Sequence, residues 1–155
     1  MRLPQTGGCL CGAFRYEISR APTLVYTCHC TACQRLSGSA FGIAFLVARH
    51  DFSLTGPGLK PLDRVADSGR TVTRWICPDC ATWVYGGLKL ASASSTAAIR
   101  IRAGTLDDTS WLRPTMHFWL RSAQPWIVIP TGDLTFETQP PVSEWPRLFR
   151  DVLLT

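Results

Sequence analysis

Seven cysteines, grouped as Cys9-x-Cys11, Cys28-x-Cys30-x-x-Cys33 and Cys77-x-x-Cys80, constrain this chain more than any other feature. Seven divides naturally into four plus three. Four thiolates close a tetrahedral structural zinc site, whereas three leave one coordination position open for water or substrate. Cys9 and Cys11 are two apart, so on an extended segment both side chains point to one face. Gly7, Gly8 and Gly12 beside them give the backbone freedom to curl around an ion. Cys77 and Cys80 enclose Pro78-Asp79, a turn of the zinc-knuckle kind. Zn–S bonds of ~2.3 Å require sulfurs roughly 3.8 Å apart, which these short loops allow. Pairing the first and third clusters gives a four-cysteine site that staples the N-terminal region to the middle of the chain. Cys28, Cys30 and Cys33 crowd three sulfurs into six residues with no fourth cysteine nearby, the pattern of an open, catalytic site.

His29 lies inside the second cluster, but ligation by both of its neighbours turns its side chain the other way, so it is not counted as a ligand. An alternative pairing joins Cys30 and Cys33 to Cys77 and Cys80 as a zinc ribbon, at the cost of stranding Cys9, Cys11 and Cys28. A redox Cys-x-x-Cys needs a thioredoxin-like βαβ setting, which the pattern lacks. Charge narrows the chemistry of the trio. Three thiolates on Zn²⁺ leave one negative charge, so bound water is less acidic than at a three-histidine site. Such a centre suits a substrate that brings its own thiol and is held as thiolate, the nucleophilic form.

At 155 residues the chain fits one domain, spanning 1–155, with enough surface to bury a core. A hydrophobic share of 46% against 17% charged residues argues against disorder and leaves room for a homo-oligomer interface. The net charge of +5 comes mostly from scattered arginines. Without a basic run, a nucleic-acid partner is not expected, while a small anionic substrate is permitted. The first eight residues lack the apolar stretch of a signal peptide, and no segment approaches the ~20 apolar residues of a membrane span. The expectation is a cytoplasmic protein with no membrane partner. In a reducing compartment its clustered cysteines are metal ligands or catalytic thiols rather than disulfides.

The chain reads as mainly β. Residues 13–18, 70–76 and 98–102 alternate apolar and polar side chains, as half-buried strands do. Residues 24–27 and 116–120 are further strands, and 40–47, nearly all apolar, suit a central strand buried on both faces. A short strand at 52–54 precedes the turn signal Gly56-Pro57-Gly58. Residues 91–96 read as a loop. Only the C-terminus reads as a helix, with Ser143 as its cap and Trp145, Leu148, Phe149, Val152 and Leu153 as its apolar stripe.

Gly8-Cys9-Leu10-Cys11-Gly12-Ala13, Cys28-His29-Cys30-Thr31-Ala32-Cys33-Gln34-Arg35 and Cys77-Pro78-Asp79-Cys80 resemble the glutathione-dependent formaldehyde-activating enzyme family, which shares its domain with centromere protein V. Gly104-Thr105-Leu106-Asp107-Asp108, Pro114-x-x-His117-x-Trp119 and Pro125-Trp126 agree with it. The resemblance implies a β-tent fold of stacked antiparallel sheets carrying two zinc ions. By that analogy Cys9, Cys11, Cys77 and Cys80 hold the structural ion, and Cys28, Cys30 and Cys33 the catalytic one. It also implies the addition of formaldehyde to glutathione, classed as a carbon–sulfur lyase for the reverse direction. Family members usually follow the last cluster with glycine. Here Ala81 takes that place, a mild constraint on the turn.

Two functions compete. In the first, the chain is a zinc-dependent carbon–sulfur lyase acting on glutathione–formaldehyde or a related thiol adduct. Arg35 would then offer a cation to a carboxylate, Ser37 a hydroxyl, and His117 an acid or base, although each also fits an ordinary structural role. In the second, both metals are structural and the surface binds a protein or nucleic acid. Trp75, Trp83, Trp111, Trp119 and Trp126 could then stack bases, although core or pocket positions suit them better.

Overall fold

The computed structural model describes residues 1–22, 24–66, 69, 71–88, 98–144 and 148. Among them the chain forms eleven strands and one α-helix, so the mainly β expectation holds. In order these are β1 (Gln5–Gly8), β2 (Arg15–Ile18), β3 (Leu24–Cys28), α1 (Thr31–Ser37), β4 (Gly42–Ala48), β5 (Phe52–Thr55), β6 (Lys60–Val65), β7 (Thr71–Ile76), β8 (Trp83–Leu88), β9 (Ala98–Arg102), β10 (Met116–Phe118) and β11 (Leu134–Phe136). Strands β1-β2-β5 form a small antiparallel sheet. The other eight form a large one in the order β11-β10-β3-β4-β9-β8-β7-β6. That sheet is mixed rather than wholly antiparallel, because β10 runs parallel to both β3 and β11.

Strand β4 lies in the middle of the large sheet and is covered on both faces, as its apolar run implies. Ile43, Phe45 and Val47 join the core formed with Tyr16, Ile18 and Phe52 of the small sheet and with Phe14 just before β2. Ala44 and Leu46 face the other way, into a second cluster with Leu24, Tyr26, Met116 and Phe118. Alternation along the strand thus places one core on each face.

Three strands have little apolar signal. Strand β1 reads Gln-Thr-Gly-Gly and forms because Gly7 and Gly8 let neighbours approach closely. A Cβ on Gly7 would sit 2.3 Å from the Tyr16 hydroxyl, and one on Gly8 2.3 Å from the Phe14 carbonyl oxygen. Strand β6 is an exposed edge carrying Lys60 and Pro61, residues that fit an edge and discourage pairing with another chain. Strand β11 is short and mostly exposed, and among the described residues it pairs with β10 alone.

Helix α1 corrects the expectation that only the C-terminus is helical. Cys30 caps it with an extended backbone and accepts the Cys33 N–H on its sulfur at 3.3 Å. Gly38 ends it in the left-handed region, at φ 62°. Seven residues with no buried side chain leave no apolar stripe to read. Of the C-terminal stripe, Leu148 packs on the second cluster. Trp145, Phe149, Val152 and Leu153 lie outside the described residues, as does the 91–96 loop. Ser143 sits in a single 3-10 turn, Val142–Glu144. No helix among the described residues is long and apolar enough to cross a membrane.

Candidate metal centres

The fold sorts the seven cysteines into two groups. Cys9, Cys11, Cys77 and Cys80 bring their sulfurs within 4.8 Å of one another, and Cys28, Cys30 and Cys33 do the same separately. The ribbon pairing of Cys30 and Cys33 with Cys77 and Cys80 is therefore not the one the chain adopts. All seven are free thiols.

The four-sulfur group joins two turns. Cys9 is not extended as expected. It starts a tight turn closed by the Gly12 N–H donating to the Cys9 carbonyl at 3.0 Å, with Gly12 at φ 78°. Cys77 and Ala81 close the second turn, the Ala81 N–H donating to the Cys77 carbonyl at 3.0 Å. The Leu10 N–H donates to the Thr82 hydroxyl at 3.1 Å and so fastens one turn to the other. Cys9 and Cys77 are buried in the main core, whereas Cys11 is exposed. The Sγ atoms of Cys9 and Cys11 stand 3.5 Å apart, and those of Cys11 and Cys77 3.7 Å. Those spacings match what tetrahedral Zn–S geometry requires, roughly 3.8 Å. The Phe14 N–H donates to the Cys9 sulfur at 3.3 Å. Hydrogen bonds from the Thr82 side chain and backbone hold the Cys80 thiol down to about 5. Both effects favour thiolates, the form a cation takes.

The three-sulfur group spans the end of β3 and the start of α1. Cys28 ends the strand, Cys30 caps the helix and Cys33 lies one turn in. Contacts from Cys28 and Cys33 lower the Cys30 thiol to about 2, while Cys30, Cys33 and burial push the Cys28 thiol up. Three sulfurs this close cannot all ionise unless a cation sits among them, so the donor set fits a thiophilic metal. No fourth cysteine, histidine or carboxylate joins the trio among the described residues.

Behind the trio runs a buried polar chain, and two of its members carried no signal in the sequence. Thr27 and His117 are register partners on β3 and β10. The Thr27 hydroxyl lies 2.7 Å from His117 Nδ1 and 3.0 Å from His29 Nε2, and His117 Nε2 lies 3.1 Å from the Asp133 carboxylate. A carboxylate only accepts, so Nε2 carries the His117 hydrogen. With the ring neutral, Thr27 donates to Nδ1 and accepts from His29 Nε2–H. His29 Nδ1 is then an acceptor, buried without a partner among the described residues. His29 is fully buried and turned away from the sulfurs, as its neighbours' roles require. Its backbone is held as well. The His29 N–H donates to the Phe118 carbonyl at 2.9 Å, and Gln34 Nε2 donates to the carbonyls of His29 and Ser122, each at 2.7 Å.

The three side chains expected to meet a substrate fall in different settings. Arg35 is exposed on α1. The Ser37 hydroxyl donates to the Cys33 carbonyl at 2.8 Å and caps the helix. His117 is 5% exposed with both ring nitrogens engaged, which leaves neither for a solute. The tryptophans do not make a common platform. Trp75 stacks on Tyr85, Trp111 packs on Phe45 and donates to Gln5, and Arg121 lies over Trp119. Trp126 alone of the five is largely exposed, at 68%.

Trp83 has a setting that sequence reading missed. The register between β7 and β8 slips at Trp75/Ile76, so Val84 has no partner and the bulge turns Trp83 to the face opposite Tyr85. There the ring lies on Gly86, whose Cβ would stand 3.3 Å from Trp83 Nε1. The guanidiniums of Arg74, Arg100 and Arg102 surround it at 5.7, 6.0 and 4.6 Å from the ring centroid. Alternate arginines on β9 were the signal available, but they read as the solvent face of a strand.

Comparison with known proteins agrees with the cysteine pattern. Residues 4–122 match the family described as glutathione-dependent formaldehyde-activating enzyme. A protein of Podospora anserina is 30% identical over 79 residues, which is 50% of this chain and 36% of the relative. One of Penicillium rubens is 30% identical over 83 residues, 52% of this chain and 42% of the relative. Both bear the name "Putative glutathione-dependent formaldehyde-activating enzyme", and the match spans less than half the length of each. A crystal structure of a Rhodobacter sphaeroides protein aligns at 17% identity with a TM-score of 0.48, covering 70% of this chain and 91% of that one. The match over residues 4–122 includes all seven cysteines, and the chain belongs to the glutathione-dependent formaldehyde-activating enzyme family.

Proposed function

We propose that the chain is a zinc-dependent enzyme that joins a thiol to an aldehyde, or runs the reverse as a carbon–sulfur lyase. Glutathione and formaldehyde are the pair for which its family is named. The observation that carries this reading is the three-sulfur cluster of Cys28, Cys30 and Cys33, which no fourth side-chain donor completes among the described residues. Cys9, Cys11, Cys77 and Cys80 would hold a second, structural zinc. Bound at the trio, zinc supplies the positive charge that keeps a substrate sulfur ionised at neutral pH.

The chain's own residues supply the rest. Cys28, Cys30 and Cys33 hold the open site, and Gln34 and the His29 backbone fix the turn that carries them. In the addition, the sulfur's electron pair forms the carbon–sulfur bond and the carbonyl π pair moves to oxygen. That oxygen takes the proton the thiol gave up, so atoms and charge balance. Arg35 remains free to meet a carboxylate of a long thiol. Ser37 and His117 act through structure, because their polar atoms are already committed.

Titrating the metal-loaded protein with glutathione tests the reading. With cobalt in place of zinc, the sulfur-to-metal absorption already given by the cysteines should shift and grow saturably as glutathione is added. Adding formaldehyde should then consume the free thiol faster than buffer does. No spectral response to glutathione or any small thiol would sink the proposal.

A further inference from the structure

Strand order brings a cluster of positive charge to the edge of the three-cysteine site. Arg74, Gly86 and Arg100 stand in register across β7, β8 and β9. Arg102, two residues beyond Arg100 on the same face, leans toward the cysteines. Its guanidinium occupies the space where a Gly42 side chain would be, 2.7 Å from the Cβ position, and Gly42 is the register partner of Cys28. Any larger residue at Gly42 would push Arg102 away from the site.

Three guanidiniums thus share one indole ring, and among the described residues no carboxylate pairs with any of them. Arg74 Nε and Arg100 Nε are buried there with no hydrogen-bond partner among the described residues. Like charges and orphaned donors are costly to hold together unless an anion joins them. The other polar group against the cluster, the Tyr26 hydroxyl beside Arg100, carries no charge to offset them. Neutralising the cysteines is not enough to explain three arginines. Three thiolates around a divalent ion carry a single negative charge, which leaves two positive charges over. That surplus matches one incoming thiolate plus one carboxylate.

We infer that Arg74, Arg100 and Arg102, arrayed over Trp83, form an anion subsite that receives a carboxylate of the thiol substrate. The inference rests on the thiol reading above and narrows it to thiols that carry an acid group a few bonds from sulfur. It moves the carboxylate partner from exposed Arg35 to the half-buried cluster, where low dielectric and the planar fork of arginine strengthen the contact.

The test compares 3-mercaptopropionate, neutral 2-mercaptoethanol and thiol-free propionate as ligands of the zinc-loaded protein, by calorimetry and by the fluorescence that Trp83→Phe removes. The wild type should bind 3-mercaptopropionate about tenfold or more tightly than 2-mercaptoethanol, the scale of one charge-assisted hydrogen-bonded pair. Arg100→Gln should shrink that preference to within about threefold at unchanged metal content, and Arg102→Gln should do the same. Equal affinity for the two thiols in the wild type overturns the subsite while leaving the thiol reading standing, and that comparison depends on no variant folding. A preference that survives both arginine variants also overturns it. Propionate binding as tightly as 3-mercaptopropionate supports the subsite but sinks the thiol reading.

Discussion

The two cysteine groups use the same atom for different ends. The four-sulfur group closes on itself. Its cysteines come from two turns far apart in sequence, two of them buried in the main core, and Thr82 fastens one turn to the other. The three-sulfur group is local, six residues at the junction of β3 and α1, and its surroundings are polar on both sides. A buried Asp133–His117–Thr27–His29 chain supports it from behind, and an arginine cluster borders it in front. A closed set spanning distant segments stabilises the fold. A local, incomplete set leaves the fold to other contacts and can give its last position to a ligand.

That contrast breaks most sharply at Cys77. Cys77→Ser removes a fully buried sulfur of the four-cysteine group, and on the proposed reading it should cost the whole contribution of a metal held there to folding. Thermal unfolding should show the largest Tm drop of any single cysteine change, while Cys28→Ser stays close to wild type. Thr27→Val comes next. It keeps the shape but strands His29 and His117, so denaturant titration should show a loss of roughly 2–6 kcal/mol, about 1–3 per buried unsatisfied group.

The Asp133 carboxyl sits below its usual range, chiefly through its hydrogen bond to His117 and against the opposing effect of desolvation. A depressed acid gives stability above its unfolded pKa, ~3.9, and loses it as pH falls through the lower folded value. Wild type should therefore exceed Asp133→Asn in stability at pH 6, and the gap should narrow toward pH 3. The smallest effect is at Ala81, a non-glycine residue at φ 58°. Ala81→Gly relieves that backbone and should raise stability by up to about 1 kcal/mol without changing metal content.

Much of this contrast was legible in the sequence, because ligand spacing is a local property. Cysteines two or three apart can reach one ion, and the count separates a closed set from an open one, although the turn at Cys9 was not read. The apolar run at 40–47 likewise announced a strand covered on both faces. What stayed hidden depends on contacts between distant segments. Strand β1 exists because Tyr16 and Phe14 crowd two glycines. Helix α1 has no apolar stripe, although Gly38 after a helix-compatible run was a usable stop signal. Thr27 and Asp133 look like any threonine and aspartate until β10 lies beside β3 and the chain returns through Asp133. The arginine cluster needed the β8 bulge, which no periodicity shows.

The central claim is that one centre staples the fold and the other is open for chemistry. Metal content of Cys30→Ser, measured beside its circular dichroism, tests it most directly. The account predicts close to two zinc ions per wild-type chain and about one in the variant, with the β signature and Tm nearly unchanged. A Cys30→Ser protein that unfolds as readily as Cys80→Ser, or that still holds both ions as tightly as wild type, would contradict it.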